Sequence, residues 1–304
     1  MITACGGLPL PPVSDTALAV VLALLGGVSY ATAAVLQQRA AAAQPPELAL
    51  SLRLIGRLAR RPLWLLGIAF DVAAYALEAV ALGVGSVVIV GPVLVSSLLF
   101  AIPLATIGQP ARVTRREMWP ACLIVVGLAV FIGVGDPRGE SSVASATEWT
   151  LAGGFVALVA GVAVGLGRRS KAASERALTF GLATGTLYAL TAVLTKATVD
   201  LFDAGVLDTF THWQPYALVT VSVAGLVLNQ SAFQAGHLAA SLPAIAVTNP
   251  VLSAGLGVAL FGERFGASSA LEVTATALAV VVMIGATLRL ARSPIVLSQH
   301  RAAA

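Results

Sequence analysis

Charge and cysteine are both scarce in this chain. Only 11% of its 304 residues are charged and two are cysteine, whereas a water-soluble domain carries about 25% charged residues. Cys5 stands in the leading tail and Cys122 inside a hydrophobic stretch, so there is neither a disulfide framework nor a metal-ligand spacing. A Walker loop, a metalloprotease histidine motif and a Cys/His cluster are missing, and with them any reason to expect a metal site, a cofactor or an ATP-driven pump. No paired carboxylates or nucleophile–base arrangement stands at catalytic spacing, so the chain is not expected to be an enzyme. A basic stretch ahead of the first hydrophobic run is lacking too. Residues 1–15 are uncharged apart from Asp15 and hold Pro9, Pro11 and Pro12, which predicts a retained segment and not a cleaved signal. The net charge of +4 does not point to nucleic acid, because the basic residues fall in loops.

What the chain has in abundance is apolar surface. It is 58% hydrophobic with a mean hydropathy of +0.92, more than a soluble monomer tolerates. Nine apolar runs are long enough to cross a bilayer as helices: 16–38, 62–82, 86–107, 118–135, 149–167, 177–198, 213–235, 240–261 and 270–290. We refer to them as spans 1 to 9. Continuous apolarity without a two-residue alternation predicts helices and not barrel strands. The junctions at 83–85 and 237–240 are short enough to predict helical hairpins.

Lys and Arg set the expected orientation. Arg39, Arg53, Arg57, Arg60 and Arg61 lie between spans 1 and 2, and Arg112, Arg115 and Arg116 follow span 3. Arg168, Arg169, Lys171 and Arg176 follow span 5, and Arg289, Arg292 and Arg301 end the chain. With nine spans these fifteen fall on one side, while Arg138, Lys196 and Arg264 fall on the other with Asp200, Asp203 and Asp208. The expected arrangement is a multi-pass protein of the cell (inner or plasma) membrane, N-terminus outside and C-terminus in the cytoplasm.

A shift of 158 residues aligns the two halves without a gap. Tyr30 then meets Tyr188, Gly67 meets Gly225, Pro92-Val93-Leu94 meets Pro250-Val251-Leu252, and Gly127 meets Gly285. Alanine identities count for little in so apolar a chain, but matched tyrosine, proline and glycine pairs in one register predict duplication. Five spans separate equivalent positions, so each copy runs opposite to its mate. The expectation is an all-α membrane protein with an inverted-topology repeat. A short outer tail (1–15) leads into a first repeat at 16–135 holding spans 1–4. Span 5 (149–167) links it to a second repeat at 177–290 holding spans 6–9, and a cytoplasmic tail follows at 291–304. In that architecture substrate sites lie near the midplane between the repeats.

Ionisable groups inside spans cost about 2.5–3.5 kcal/mol at the helix centre on insertion scales and mark function by default. Asp71, mid-way along span 2 with no basic residue nearby and Asn229 as its repeat mate, is the candidate proton-coupling group. Burial disfavours its charge, and the competing reading is a structural hydrogen bond to a neighbouring helix. Glu78 lies two turns on, roughly 10 Å along the axis, too far to grip one small cation together with Asp71. A vestibule position and a snorkelling position both fit it. In span 7, Asn229, Gln230 and Gln234 suit a polar or zwitterionic solute or else bond helices together. His237 is expected to be solvated at the cytoplasmic hairpin, and Lys196 to snorkel at the outer face. Pro92 and Pro250 each free a backbone carbonyl at matched depth, as helix breaks lining a transporter site or as plain kinks. Tyr30 and Tyr188 are candidate pocket walls.

The run from Gln230 to Phe265, with Pro250 and Gly262-Glu263, resembles the drug/metabolite transporter (DMT) superfamily of EamA type. The first half reads Gly108-Gln109 where the second reads Gly262-Glu263, which departs from the pattern, as does the count of nine spans where members usually have ten. The nine-helix layout with Asp71-Val-Ala-Ala-Tyr75 is similar to the NIPA-type magnesium transporters of the same clan. The resemblance implies alternating-access transport. The leading expectation is proton-coupled export of a small organic metabolite or drug through a pocket between spans 1, 2, 3 and 6, 7, 8. A magnesium transporter and a non-transporting membrane scaffold are the alternatives. Expected partners are a small-molecule substrate, protons and the lipid bilayer, with a homodimer left open.

Overall fold

In a computed structural model the described residues are 13–84, 90, 93–94, 96–107, 113–135, 144–202, 205–263 and 269–293. Among them every regular element is helical. Those long and apolar enough to span a membrane number eight: α1 (Val13–Ala42), α3 (Pro62–Val84), α5 (Arg115–Gly135), α6 (Ala146–Arg169), α7 (Ala173–Leu201), α9 (Gln214–Ala235), α10 (Leu238–Phe261) and α11 (Ala270–Ala291). The chain is an integral membrane protein. Span 3 is represented by α4 (Ser97–Thr106), ten residues long. The rest of that span, including Pro92, lies largely outside the described residues, as do Gly85 and Gly108-Gln109.

Side-chain size decides which helices touch. α1 packs along α3 and α4, α7 along α6, α9 and α10, and α5 along α11. Small residues permit the closest approaches, because apolar helices in lipid gain nothing from expelling water and must gain by fit. A Cβ on Gly181 of α7 would stand 2.7 Å from the Ser241 carbonyl oxygen of α10, and one on Gly185 would stand 2.8 Å from Thr248 Cβ. Gly67 presses α3 on α1 and Gly225 presses α9 on Tyr188 of α7 in the same way. Large apolar side chains such as Leu65, Phe155, Leu158, Val219, Val281 and Ile284 face outward.

The basic loop between spans 1 and 2 is ordered. A 3-10 turn at Pro46–Leu48 leads to α2 (Leu52–Leu58), whose Leu54 and Leu58 are fully buried against Trp64, Phe233 and Leu238. Arg53 and Arg57 remain exposed on its outer side. Gln234 binds this loop, donating to the Pro45 carbonyl at 2.7 Å and the Gln44 carbonyl at 3.3 Å. The Leu50 N–H donates to Ser231 Oγ at 2.9 Å.

Two expectations need correction and a third needs a partner added. α9 and α10 are joined through Gly236 and His237 alone, yet they do not pack along each other; each lies along α7, whose small residues fit both. Lys196, its side chain still 37% exposed, has a partner that the sequence did not suggest. Gly262 takes a left-handed turn (φ 64°) after α10, which brings Glu263 into an ion pair with Lys196, and the ammonium sits 4.6 Å from the centre of the Phe261 ring.

His237, finally, is buried and not solvated: it is 4% exposed, and its Nδ1 accepts from the Ala239 N–H at 3.1 Å, capping α10. Burial pushes its imidazole down to about 4 from 6.5. The folded protein thus keeps His237 neutral where the unfolded chain would take up a proton, so stability falls as pH drops from 6.5 toward 4, by up to about 3 kcal/mol. His237→Asn, whose side-chain oxygen can replace Nδ1 as the capping acceptor, is expected to flatten that part of the stability–pH curve, read by thermal unfolding in detergent. Gly181→Val is expected to lower stability by about 1–3 kcal/mol through overpacking. Gly165→Ala, where a Cβ meets nothing within 4 Å, should leave it unchanged or raise it.

Candidate functional site

A partly open cavity of about 480 Å³ lies between the middle portions of the helices. α1 contributes Tyr30, Ala31, Ala34 and Gln37, one face at helical spacing. α3 contributes Asp71, Tyr75 and Glu78, again one face at i, i+4, i+7. Leu94, Ser97 and Leu98 come from span 3 and Leu128 and Ile132 from α5. Tyr188 comes from α7, Asn229 and Phe233 from α9, and Asn249 and Pro250 with neighbouring apolar residues from α10. The expected six spans are all represented, and span 4 joins them.

Asp71 is held by an amide. Gln37 Nε2 donates to its Oδ2, and Gln37 Oε1 accepts from Gln230 Nε2 at 2.8 Å. Gln230 Oε1 in turn accepts from the Trp64 indole N–H at 3.0 Å. This chain of neutral donors runs from α3 through α9 and α1 back to α3, and ends on the carboxylate at the cavity wall. Glu78 accepts from the Tyr30 hydroxyl at 2.8 Å. The Tyr30 and Tyr75 rings meet edge to face with centroids 5.6 Å apart. Asn229 lines the wall together with Tyr188, while its buried Oδ1 has no partner among the described residues.

Of the residues singled out in the sequence, Tyr30, Asp71, Glu78, Tyr188, Asn229 and Pro250 share this cavity. Gln230 does not reach it: fully buried, it spends both ends of its amide on Gln37 and Trp64 because those groups are its nearest donors and acceptors. Gln234 does not reach it either, being turned to the loop carbonyls. Pro92 lies outside the described residues. α10 runs unbroken through Pro250, which therefore is no helix break, although a proline there has no N–H for the Ala246 carbonyl, and both residues line the wall. Among the described lining residues there are two carboxylates and no Lys, Arg or His.

Over 281 residues the chain is 33% identical to an uncharacterized protein of Corynebacterium glutamicum, Cgl0250/cg0304, the match covering 91% of this chain and 95% of that one. The chain belongs to that protein's family. No family model matches it, and no solved structure does.

Gln37, Tyr75, Ser97 and Asn249 were missed in the sequence. Gln37 had a signal, since Tyr30, Ala34 and Gln37 form one stripe, and so had Tyr75, midway between Asp71 and Glu78. Asn249 had only its place before Pro250. Gln230→Leu leaves the Trp64 N–H and one end of Gln37 unpaired. It is expected to lower stability by about 1–2 kcal/mol, read as a lower unfolding temperature in detergent together with a shift in Trp64 emission.

Proposed function

We propose that the protein is a secondary transporter that exports a small organic metabolite or drug in exchange for protons by alternating access. The observation that carries this reading is Asp71, a carboxylate on the wall of a cavity at mid-helix, held by a neutral amide with no cation among the described lining residues. Such a group can change its charge state without breaking an ion pair, which is what proton coupling requires. The second carboxylate, Glu78, and the rings of Tyr30, Tyr75, Tyr188 and Phe233 suit a cationic or zwitterionic solute, since aromatic faces and carboxylates both attract positive charge.

An inverted repeat of nine spans is part of the proposal. In its favour, spans 1 and 6 each pack against their own spans 2 and 3, or 7 and 8. Tyr30 and Tyr188, Asp71 and Asn229, and Tyr75 and Phe233, paired by the shift of 158, line one cavity. Gly67 and Gly225, also paired, both make the close approach of span 2 or 7 on its neighbour. The resemblance to EamA-type DMT proteins points the same way. We infer the cell membrane as location, with the N-terminus outside, from the fifteen basic residues that nine spans would gather on one side.

Purified protein in liposomes, with a pH-sensitive dye inside and candidate solutes outside, tests the reading. An organic amine is expected to evoke proton flux in the wild type. Asp71→Asn is expected to abolish that flux, a loss of at least about tenfold, while the protein still inserts. Unchanged proton coupling in the variant would sink the proposal. Magnesium entry without proton movement would replace it with a divalent-cation carrier, and no flux with any solute would favour a scaffold.

A further inference from the structure

A second cleft, of about 380 Å³, opens where the ends of α5 and α11 meet. It is lined by Arg116 from the first turn of α5, and by Gly285, Leu288, Arg289, Arg292 and Ser293 at the end of α11. The three arginines are exposed, and no described carboxylate pairs with them. Glu117, the acidic neighbour on α5, is buried and turned to the Thr114 N–H and hydroxyl. Ser293 is 5% exposed, and its Oγ has no partner among the described residues. A buried hydroxyl without a partner is costly and uncommon. Ser293 lines the same cleft as three arginines, whose guanidinium groups stay charged at any physiological pH.

Several fixed positive charges with a spare hydroxyl donor suit a group presenting several anionic oxygens, which is the chemistry of phosphate. The α5 N-terminus adds a favourable partial charge and the α11 C-terminus an unfavourable one, so the arginines decide. An apolar strip continues from the cleft. Leu288, Ile284 and Val281 on α11 are 41%, 50% and 65% exposed, and Trp119, one turn beyond Arg116, is 63% exposed. A headgroup phosphate in the cleft would thus leave its acyl chains lying on an apolar bed, with an indole at the depth where membrane proteins favour one. We propose that this cleft binds an anionic phospholipid, its phosphate held by Arg116, Arg289, Arg292 and Ser293. A net-anionic lipid is favoured over a zwitterionic one because no described carboxylate lines the cleft to receive an ammonium.

The full-length protein in phosphatidylcholine bilayers, titrated with brominated phosphatidylglycerol or brominated phosphatidylcholine, tests this. Quenching of Trp119 is read as the difference between the wild type and Trp119→Phe. Half-quenching is expected at a roughly tenfold lower mole fraction of the anionic lipid. Arg289→Gln/Arg292→Gln is expected to erase the preference, and Arg53→Gln/Arg57→Gln, on exposed α2 positions, to keep it. Should the first double variant fail to insert, Ser293→Ala is expected to weaken the preference several-fold. Equal quenching by the two lipids, or a preference that survives loss of both arginines, would overturn the proposal. Loss of the preference on adding millimolar inorganic phosphate at constant ionic strength would reassign the cleft to a soluble phosphate ester and overturn the lipid assignment.

Discussion

Where α1 and α3 meet, Gly67 leaves no room for a side chain: a Cβ there would stand 2.8 Å from Gln37 Cγ and 3.2 Å from the Ala33 carbonyl oxygen. That approach places both cavity carboxylates. One turn beyond Gly67, Asp71 comes within reach of the Gln37 amide. Two turns further on, Glu78 meets the Tyr30 hydroxyl. A side chain at position 67 would force Gln37, which holds Asp71, to shift or α3 to ease away from α1. In a medium where water expulsion gives helices little reason to associate, such fits carry the packing. α7 repeats the device at Gly181 and Gly185 against α10, and α10 in turn carries Asn249 and Pro250 to the opposite cavity wall.

Polar groups are few inside the bundle, and those present are arranged by charge. Most buried polar side chains are amides and hydroxyls, which avoid the desolvation cost of ions and bond helix carbonyls or one another, while a few such as Asn229 Oδ1 and Ser241 Oγ have no partner among the described residues. Gln37 and Gln230 link three helices through neutral hydrogen bonds. Asp71 and Glu78 stand at the cavity, and the ion pair of Lys196 with Glu263 sits just past the end of α10. The basic residues are kept to the ends, where Arg39 donates to the Ile107 carbonyl at 2.6 Å and satisfies the end of α4. The ordered loop over α2 closes the same end of the bundle. Its burial of Leu54 and Leu58 accounts for Gln234 and Ser231 being spent on loop backbone.

Much of the fold was legible because the relevant signal is long. Runs of about 20 apolar residues admit few readings, and eight of the nine recur as helices whose bounds differ from the expected ones by a few residues. The candidate site was legible in part. Asp71 stood out by its cost in an apolar run, and Tyr30, Tyr188 and Asn229 by their register. Gln37 was passed over because one amide near a helix end, beside Gln38 and Arg39, reads as interfacial. His237 was misread for a like reason: position near a helix end predicts solvent, but the fold can bury it. Gln230 and Gln234 share a stripe, yet the bundle sends one to Gln37 and Trp64 and the other to the loop.

The sequence by itself determined that the chain is helical and membrane-embedded, where its basic residues gather, and that a carboxylate lies mid-span without a cation. These conclusions rest on composition along one dimension, since the cost of exposing backbone or charge to lipid hardly depends on neighbours. Only the tertiary structure decided which helices touch, that α9 and α10 part company to lie along α7, and which amides face the cavity. Those outcomes turn on contacts of 3 to 4 Å between residues far apart in the chain, and no single helix carries the information about what will stand opposite it.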